Sequence, residues 1–163
     1  MVPVSEVQRT EESTARFGII GSRAAAGLPI EGGKWEAKVQ TVNKPEVVAQ
    51  VRAAADQYER ALSENDLEAM DELFWNSPLT VRYGPNGSNY GHESISTYRK
   101  GTPKGTRTRI IVKKVVTTFG DDFGTSSFEY SYADSPQTGR RMQSWVRTDD
   151  GWRIASAHVS DIG

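Results

Sequence analysis

The last third of the chain leaves few folds open. Arg109 to Phe119, Thr125 to Ala133, Arg140 to Thr148 and Trp152 to Ser160 are rich in β-branched and aromatic residues. Between them lie Gly120-Asp121-Asp122, Asp134-Ser135-Pro136-Gln137 and Asp149-Asp150-Gly151, three turn-forming sets. Long strands on short turns predict an antiparallel meander. The stretch before it is helical. Asn43-Lys44-Pro45-Glu46 has the spacing of a capping box, and Val48, Val51, Ala55, Tyr58 and Leu62 recur three and four residues apart, so one stripe faces inward and carries Tyr58 with it. A second cap, Asn65-Asp66-Leu67-Glu68, opens a helix whose buried side is Leu67, Met70, Leu73 and Phe74, and Asn76-Ser77-Pro78 stops it. Leu79 to Tyr83 alternates as a strand, with Arg82 on the face of Thr80, before the turn Gly84-Pro85-Asn86-Gly87; a short helix over Glu93 to Arg99 follows. Helices first and strands afterwards indicate an α+β fold, a curved antiparallel sheet wrapped around N-terminal helices.

Composition narrows the function. The 163 residues suit one domain, and four Trp, five Phe and six Tyr fill a modest core although only 36% of the chain is hydrophobic. Twenty lysines and arginines against 21 acids leave a net charge of -1, which argues against nucleic-acid and anionic-membrane partners. There is no cysteine, hence no disulfide, zinc-thiolate site or thiol nucleophile. No run is long and apolar enough to predict a membrane span, and Met1 to Pro29 lacks the pattern of a secretory signal, so the cytoplasm is the expected location. Residues 1–42 read as an arm preceding a domain over 43–163, either flexible or docked on a neighbouring subunit.

Two inward residues stand out as candidates for chemistry. Tyr58 is either a core aromatic or a hydroxyl presented to a cavity as an acid or hydrogen-bond donor. Arg82, always charged, requires a carboxylate, which is either a protein group such as Glu129 or a ligand. Alternation along the last strand puts Ser156, His158 and Ser160 on the face of Trp152 and Ile154, with Arg153, Ala155, Ala157 and Val159 opposite, and makes His158 a structural residue or a pocket group. Only His92 and His158 are available as histidine ligands, and neither HxH nor HExxH occurs, so no metal is expected. The Asp121-Asp122 and Asp149-Asp150 pairs read as solvated turn acids, and the basic run Lys104 to Lys114 as a solvated face. Ser144 and Ser160 could meet a histidine, but nothing forms a nucleophile elbow, and Gly84-Pro85-Asn86-Gly87 lacks the spacing of a nucleotide cradle.

Several blocks together resemble the AtzH-like proteins of the SnoaL-like, nuclear transport factor 2-like superfamily. They are Asn43 to Val48, Asp71-Glu72-Leu73-Phe74-Trp75, Thr80-Val81-Arg82-Tyr83-Gly84, Tyr90 to Ile95, Gln143 to Arg147, and Gly151-Trp152-Arg153-Ile154 through His158-Val159-Ser160. The resemblance spans residues 43 to 160 and implies a cone-shaped fold, usually a homodimer or higher homo-oligomer through the sheet. It implies a cofactor-free decarboxylating amidohydrolase that converts 1,3-dicarboxyurea, a small dicarboxylated substrate, to allophanate in cyanuric acid breakdown. The family's helix tyrosine and strand arginine fall on Tyr58 and Arg82 as catalytic residues. Arg82 would hold a carboxylate, with His158, Ser160 and Ser144 as further substrate-binding groups. The inward aspartate base of ketosteroid isomerases has no match here. A non-catalytic accessory or binding protein for a neighbouring amidase is the alternative.

Overall fold

A computed structural model describes residues 41–103 and 108–162 of the chain; residues 1–40, most of the predicted arm, lie outside them. The element order is α1 (Pro45–Glu64), α2 (Leu67–Glu72), β1 (Val81–Gly84), β2 (Gly87–Tyr90), α3 (His92–Gly101), β3 (Arg109–Phe119), β4 (Phe123–Tyr132), β5 (Ser135–Thr148) and β6 (Gly151–Ile162). One curved six-stranded sheet runs β2-β1-β6-β5-β4-β3, antiparallel except where β1 lies parallel to β6. The fold is α+β, as expected, with the predicted meander as its larger part. Strand β2 is additional: Pro85-Asn86 is the two-residue tip of a hairpin in which Gly84 faces Gly87.

The stripe of α1 packs Val47, Val51, Ala55, Tyr58 and Ala61 into the core. Opposite it stand Val116, Phe128, Trp145, Trp152, Ile154 and Ala157 of the sheet. Burying such side chains contributes about 1.5–3 kcal/mol each, and that contribution outweighs helix propensity in fixing α1. Within the core Trp145 Nε1 donates to Ser126 Oγ at 2.9 Å, and that hydroxyl donates to Gln143 Oε1 at 3.1 Å, a buried chain that links β4 to β5.

Both caps differ in detail from the sequence reading. Lys44 precedes α1 without a side-chain cap, because Asn43 is engaged elsewhere: its Oδ1 accepts from the Thr118 N–H at 2.9 Å and ties the helix entry to β3. Asn65 ends α1 in the left-handed region at φ 60°, and Asp66 caps α2 by accepting from the Ala69 N–H at 3.0 Å. Helices α2 and α3 are joined by Asp71, which takes Arg99 Nη1 at 2.6 Å and Ser96 Oγ at 2.5 Å.

Two β-bulges decide which side chains reach the concave side of the sheet. On β6 the register steps from Ser144↔Ser156 to Trp145↔Ile154, so Ala155 is an extra residue and the inward series passes from Trp152 and Ile154 to Ala157. On β3 Val112 is extra between Ile111↔Tyr130 and Lys113↔Glu129. Each bulge inverts the alternation beyond it.

Candidate active site

A cleft of about 1060 Å³ opens between α1, α3 and the far ends of β1, β3 and β4, and Tyr58 and Arg82 both line it. Tyr58 comes from the middle of the α1 stripe and is 6% exposed, its ring centroid 5.9 Å from that of Phe74. It is therefore both a core aromatic and a cleft residue. Arg82 projects from β1 toward Asn89, its direct cross-strand neighbour, and Nη1 donates to Asn89 Oδ1 at 3.3 Å. Its guanidinium carbon lies 4.5 Å from the centroid of the Tyr98 ring, a cation–π contact. Gly84, two residues on along the same face, leaves the room: a Cβ there would stand 2.9 Å from both terminal nitrogens of Arg82. The expected partner Glu129 is instead 3.9 Å from Arg140. Among the described residues no ion pair involves Arg82.

The Tyr98 phenol feels opposing influences. Burial raises its pKa, but the Arg82 charge and hydrogen bonds with Thr102, Asn86 and Arg82 outweigh that and bring it below its ordinary value.

Charge in the cleft is one-sided although the chain is nearly neutral. Among the described residues, Arg60, Arg82, Arg99 and Arg109 line it against one carboxylate, Glu59. Glu59 is ion-paired with Arg141 of β5, and Arg99 with Asp71. The Arg141 side chain is almost wholly buried, 5.4 Å from the Tyr58 ring and 5.1 Å from that of Phe128. Burial pushes its guanidinium down to about 10, with Tyr58 acting in the opposite sense. What remains uncompensated among the described residues is cationic, which suits an anionic ligand.

The other three residues expected at the site are elsewhere. The Ala155 bulge turns His158 and Ser160 to the outer face of the sheet, where they line a separate groove of about 360 Å³ with Met142 and Val115, and the His158 ring meets Tyr83 edge-on at 6.3 Å. Ser144, paired with Ser156, shares that outer face. The structure thus brings Tyr58 and Arg82 together and separates them from His158, Ser160 and Ser144.

Conversely, Arg141, Arg99 and Arg109 are at or behind the cleft and were not singled out by sequence. Arg141 was accessible to a pattern argument, since it alternates with Gln143 and Trp145 on one face. Arg99 lies four residues after the buried Ile95. Arg109 was hidden, because the Val112 bulge reverses the alternation of a run that otherwise reads as a solvated face. Among the described residues no group of three or more histidine, aspartate or glutamate side chains could hold a metal ion.

Comparison with known proteins agrees with this fold. A family model described as AtzH-like matches residues 40–163. A cystatin-like fold protein from Burkholderia xenovorans superposes with a TM-score of 0.73 at 48% identity, covering 76% of this chain and 98% of that one. A protein of unknown function from Pectobacterium atrosepticum gives 0.72 at 43% identity, with 75% and 95% covered. A nuclear transport factor 2-like superfamily protein from Salmonella enterica, at 22% identity and TM-score 0.61 over 72% of this chain and 92% of its own, shares the fold. No curated protein matches the sequence significantly. With a family model over most of its length and a near-complete relative at close to half identity, this chain belongs to the AtzH-like family.

Proposed function

We propose that the protein is a cofactor-independent decarboxylating amidohydrolase that converts 1,3-dicarboxyurea to allophanate in bacterial cyanuric acid catabolism. The observation that carries this reading is an inward Arg82 that is ion-paired with no carboxylate among the described residues and lines the same cleft as Tyr58. A half-buried guanidinium without an anion is poorly compensated, and a substrate carboxylate restores the pairing.

In the reaction Arg82 holds one terminal carboxylate and fixes the urea in the cleft. The bond from nitrogen to the other carboxylate carbon breaks, carbon dioxide leaves, and the electron pair stays on nitrogen, in conjugation with the urea carbonyl. Tyr58 donates its proton to that nitrogen, which gives allophanate, and water reprotonates the phenolate. A positioned proton donor contributes about 10²–10⁴-fold, and orientation by Arg82 adds to it. A carbamate loses carbon dioxide readily, so this small set of groups suffices.

A non-catalytic accessory protein would be favoured by an Arg82 tied to a protein carboxylate, and no such tie is present among the described residues. The protein would act in the cytoplasm as a homo-oligomer joined through the outer face of the sheet, where Val115, Met142 and Val112 are exposed. Carbon-13 NMR of freshly prepared 1,3-dicarboxyurea tests the reaction: conversion to allophanate and carbon dioxide faster than in protein-free buffer is expected, and an unchanged rate would remove the enzyme reading.

A further inference from the structure

Arg109 is the first residue of β3, half-buried, on the wall of the cleft that Tyr58 and Arg82 also line. Its guanidinium carbon lies 5.7 Å from the centroid of the Tyr130 ring. This repeats the arrangement of Arg82 on Tyr98. The ring beneath it is firmly seated: Tyr130 crosses Gly139, where a Cβ would lie 2.3 Å from the ring, and its hydroxyl donates to Asp161 Oδ1 at 3.4 Å. Burial, then the neighbouring Tyr132 and Asp161, raise the Tyr130 phenol far above its ordinary range, so it stays neutral and leaves the Arg109 charge intact. No ion pair involves Arg109 among the described residues. Of the other arginines on the wall, Arg99 is committed to Asp71, and Arg60 is exposed to water.

The geometry points to Arg109 as a second carboxylate anchor, which makes the cleft selective for small dicarboxylates over monocarboxylates. The assignment rests on reading this cleft as the active site. Each tyrosine face orients a guanidinium without neutralising it, and a guanidinium so held presents its paired N–H donors to one carboxylate. Tyr58 lines the same cleft as both anchors, so a ligand with a carboxylate at each end would be held at both while its middle is offered to the phenol.

Glutarate tests this without chemistry, because its five-carbon backbone matches the C–N–C–N–C backbone of a dicarboxylated urea and it is stable; valerate is the monocarboxylate of equal length. By titration calorimetry the wild-type protein should bind glutarate more tightly than valerate, on the order of tenfold or more. Arg109→Gln should lose most of that preference while valerate binding is unchanged, Arg109→Lys should recover part of it, and Arg60→Gln should keep it. Preference retained in Arg109→Gln, or lost equally in Arg60→Gln, would overturn the anchor, as would a wild type that does not discriminate. If dicarboxyurea is not turned over but glutarate preference still falls with Arg109→Gln, the anchor stands and the proposed chemistry alone is lost.

Discussion

Around the tip of Arg82 two things a guanidinium normally meets are missing among the described residues: a side chain two residues on, and a carboxylate. Gly84 supplies the first absence. In Gly84→Ala the new methyl would collide with the end of a flexible side chain, so Arg82 would swing away at little cost to the fold. The expected result is a rise in KM for the dicarboxylate with a melting temperature within a few degrees of wild type. Gly101→Ala, where an added Cβ meets nothing within 4 Å, should leave both unchanged. Beside Tyr58, Arg141 is almost wholly buried and is paired with Glu59, which is 18% exposed where it lines the cleft. Glu59→Gln alone should cost about 3–5 kcal/mol, since it leaves a buried charge uncompensated, whereas Glu59→Gln with Arg141→Met should cost much less. Denaturant unfolding of the two variants separates these outcomes.

The elements were legible where their pattern is local and illegible where a bulge interrupts it. Tyr58 could be placed inward because a helix stripe depends only on spacing along α1, and the structure buries it. Arg82 likewise sits on a four-residue strand with no irregularity before it. His158 and Ser160 were misplaced for the opposite reason. Alternation counted from Trp152 is right as far as Ile154 and wrong after Ala155, and nothing in an Ala-Ser-Ala sequence announces an extra residue. The second strand, β2, escaped because Ser88-Asn89-Tyr90 has little strand character of its own and is held by pairing with β1. Cap identity shifted by one residue at each helix start, since Asn43 and Asn65 both took left-handed conformations instead. Asp66 is the working cap of α2, and Asp66→Ala should lower stability by about 1 kcal/mol without altering ligand affinity. Thermal unfolding with and without glutarate is the check.

For the molecule as a whole, a nearly neutral net charge concealed a local concentration of cations. Lysines and arginines balance the acids along the chain, yet among the described residues folding gathers four arginines around one cleft and assigns the one glutamate that lines it to a fifth. Such gathering is a property of topology, which no count of residues reveals. The sheet's outer face carries Val112, Val115 and Met142 in the open, and this is where the proposed homo-oligomer would be sealed. Met142→Glu should then shift the mass measured by light scattering from an oligomer to a monomer; a wild type that is already monomeric would contradict that assembly. The most direct test of the central claim is the rate of carbon dioxide release from 1,3-dicarboxyurea by wild type, Tyr58→Phe and Arg82→Gln, each confirmed folded. The account predicts a wild-type rate well above the protein-free background, a fall of about 10²–10⁴-fold in kcat for Tyr58→Phe, and a fall in kcat/KM of roughly ten- to a hundredfold for Arg82→Gln. Wild-type turnover that survives both substitutions would contradict it.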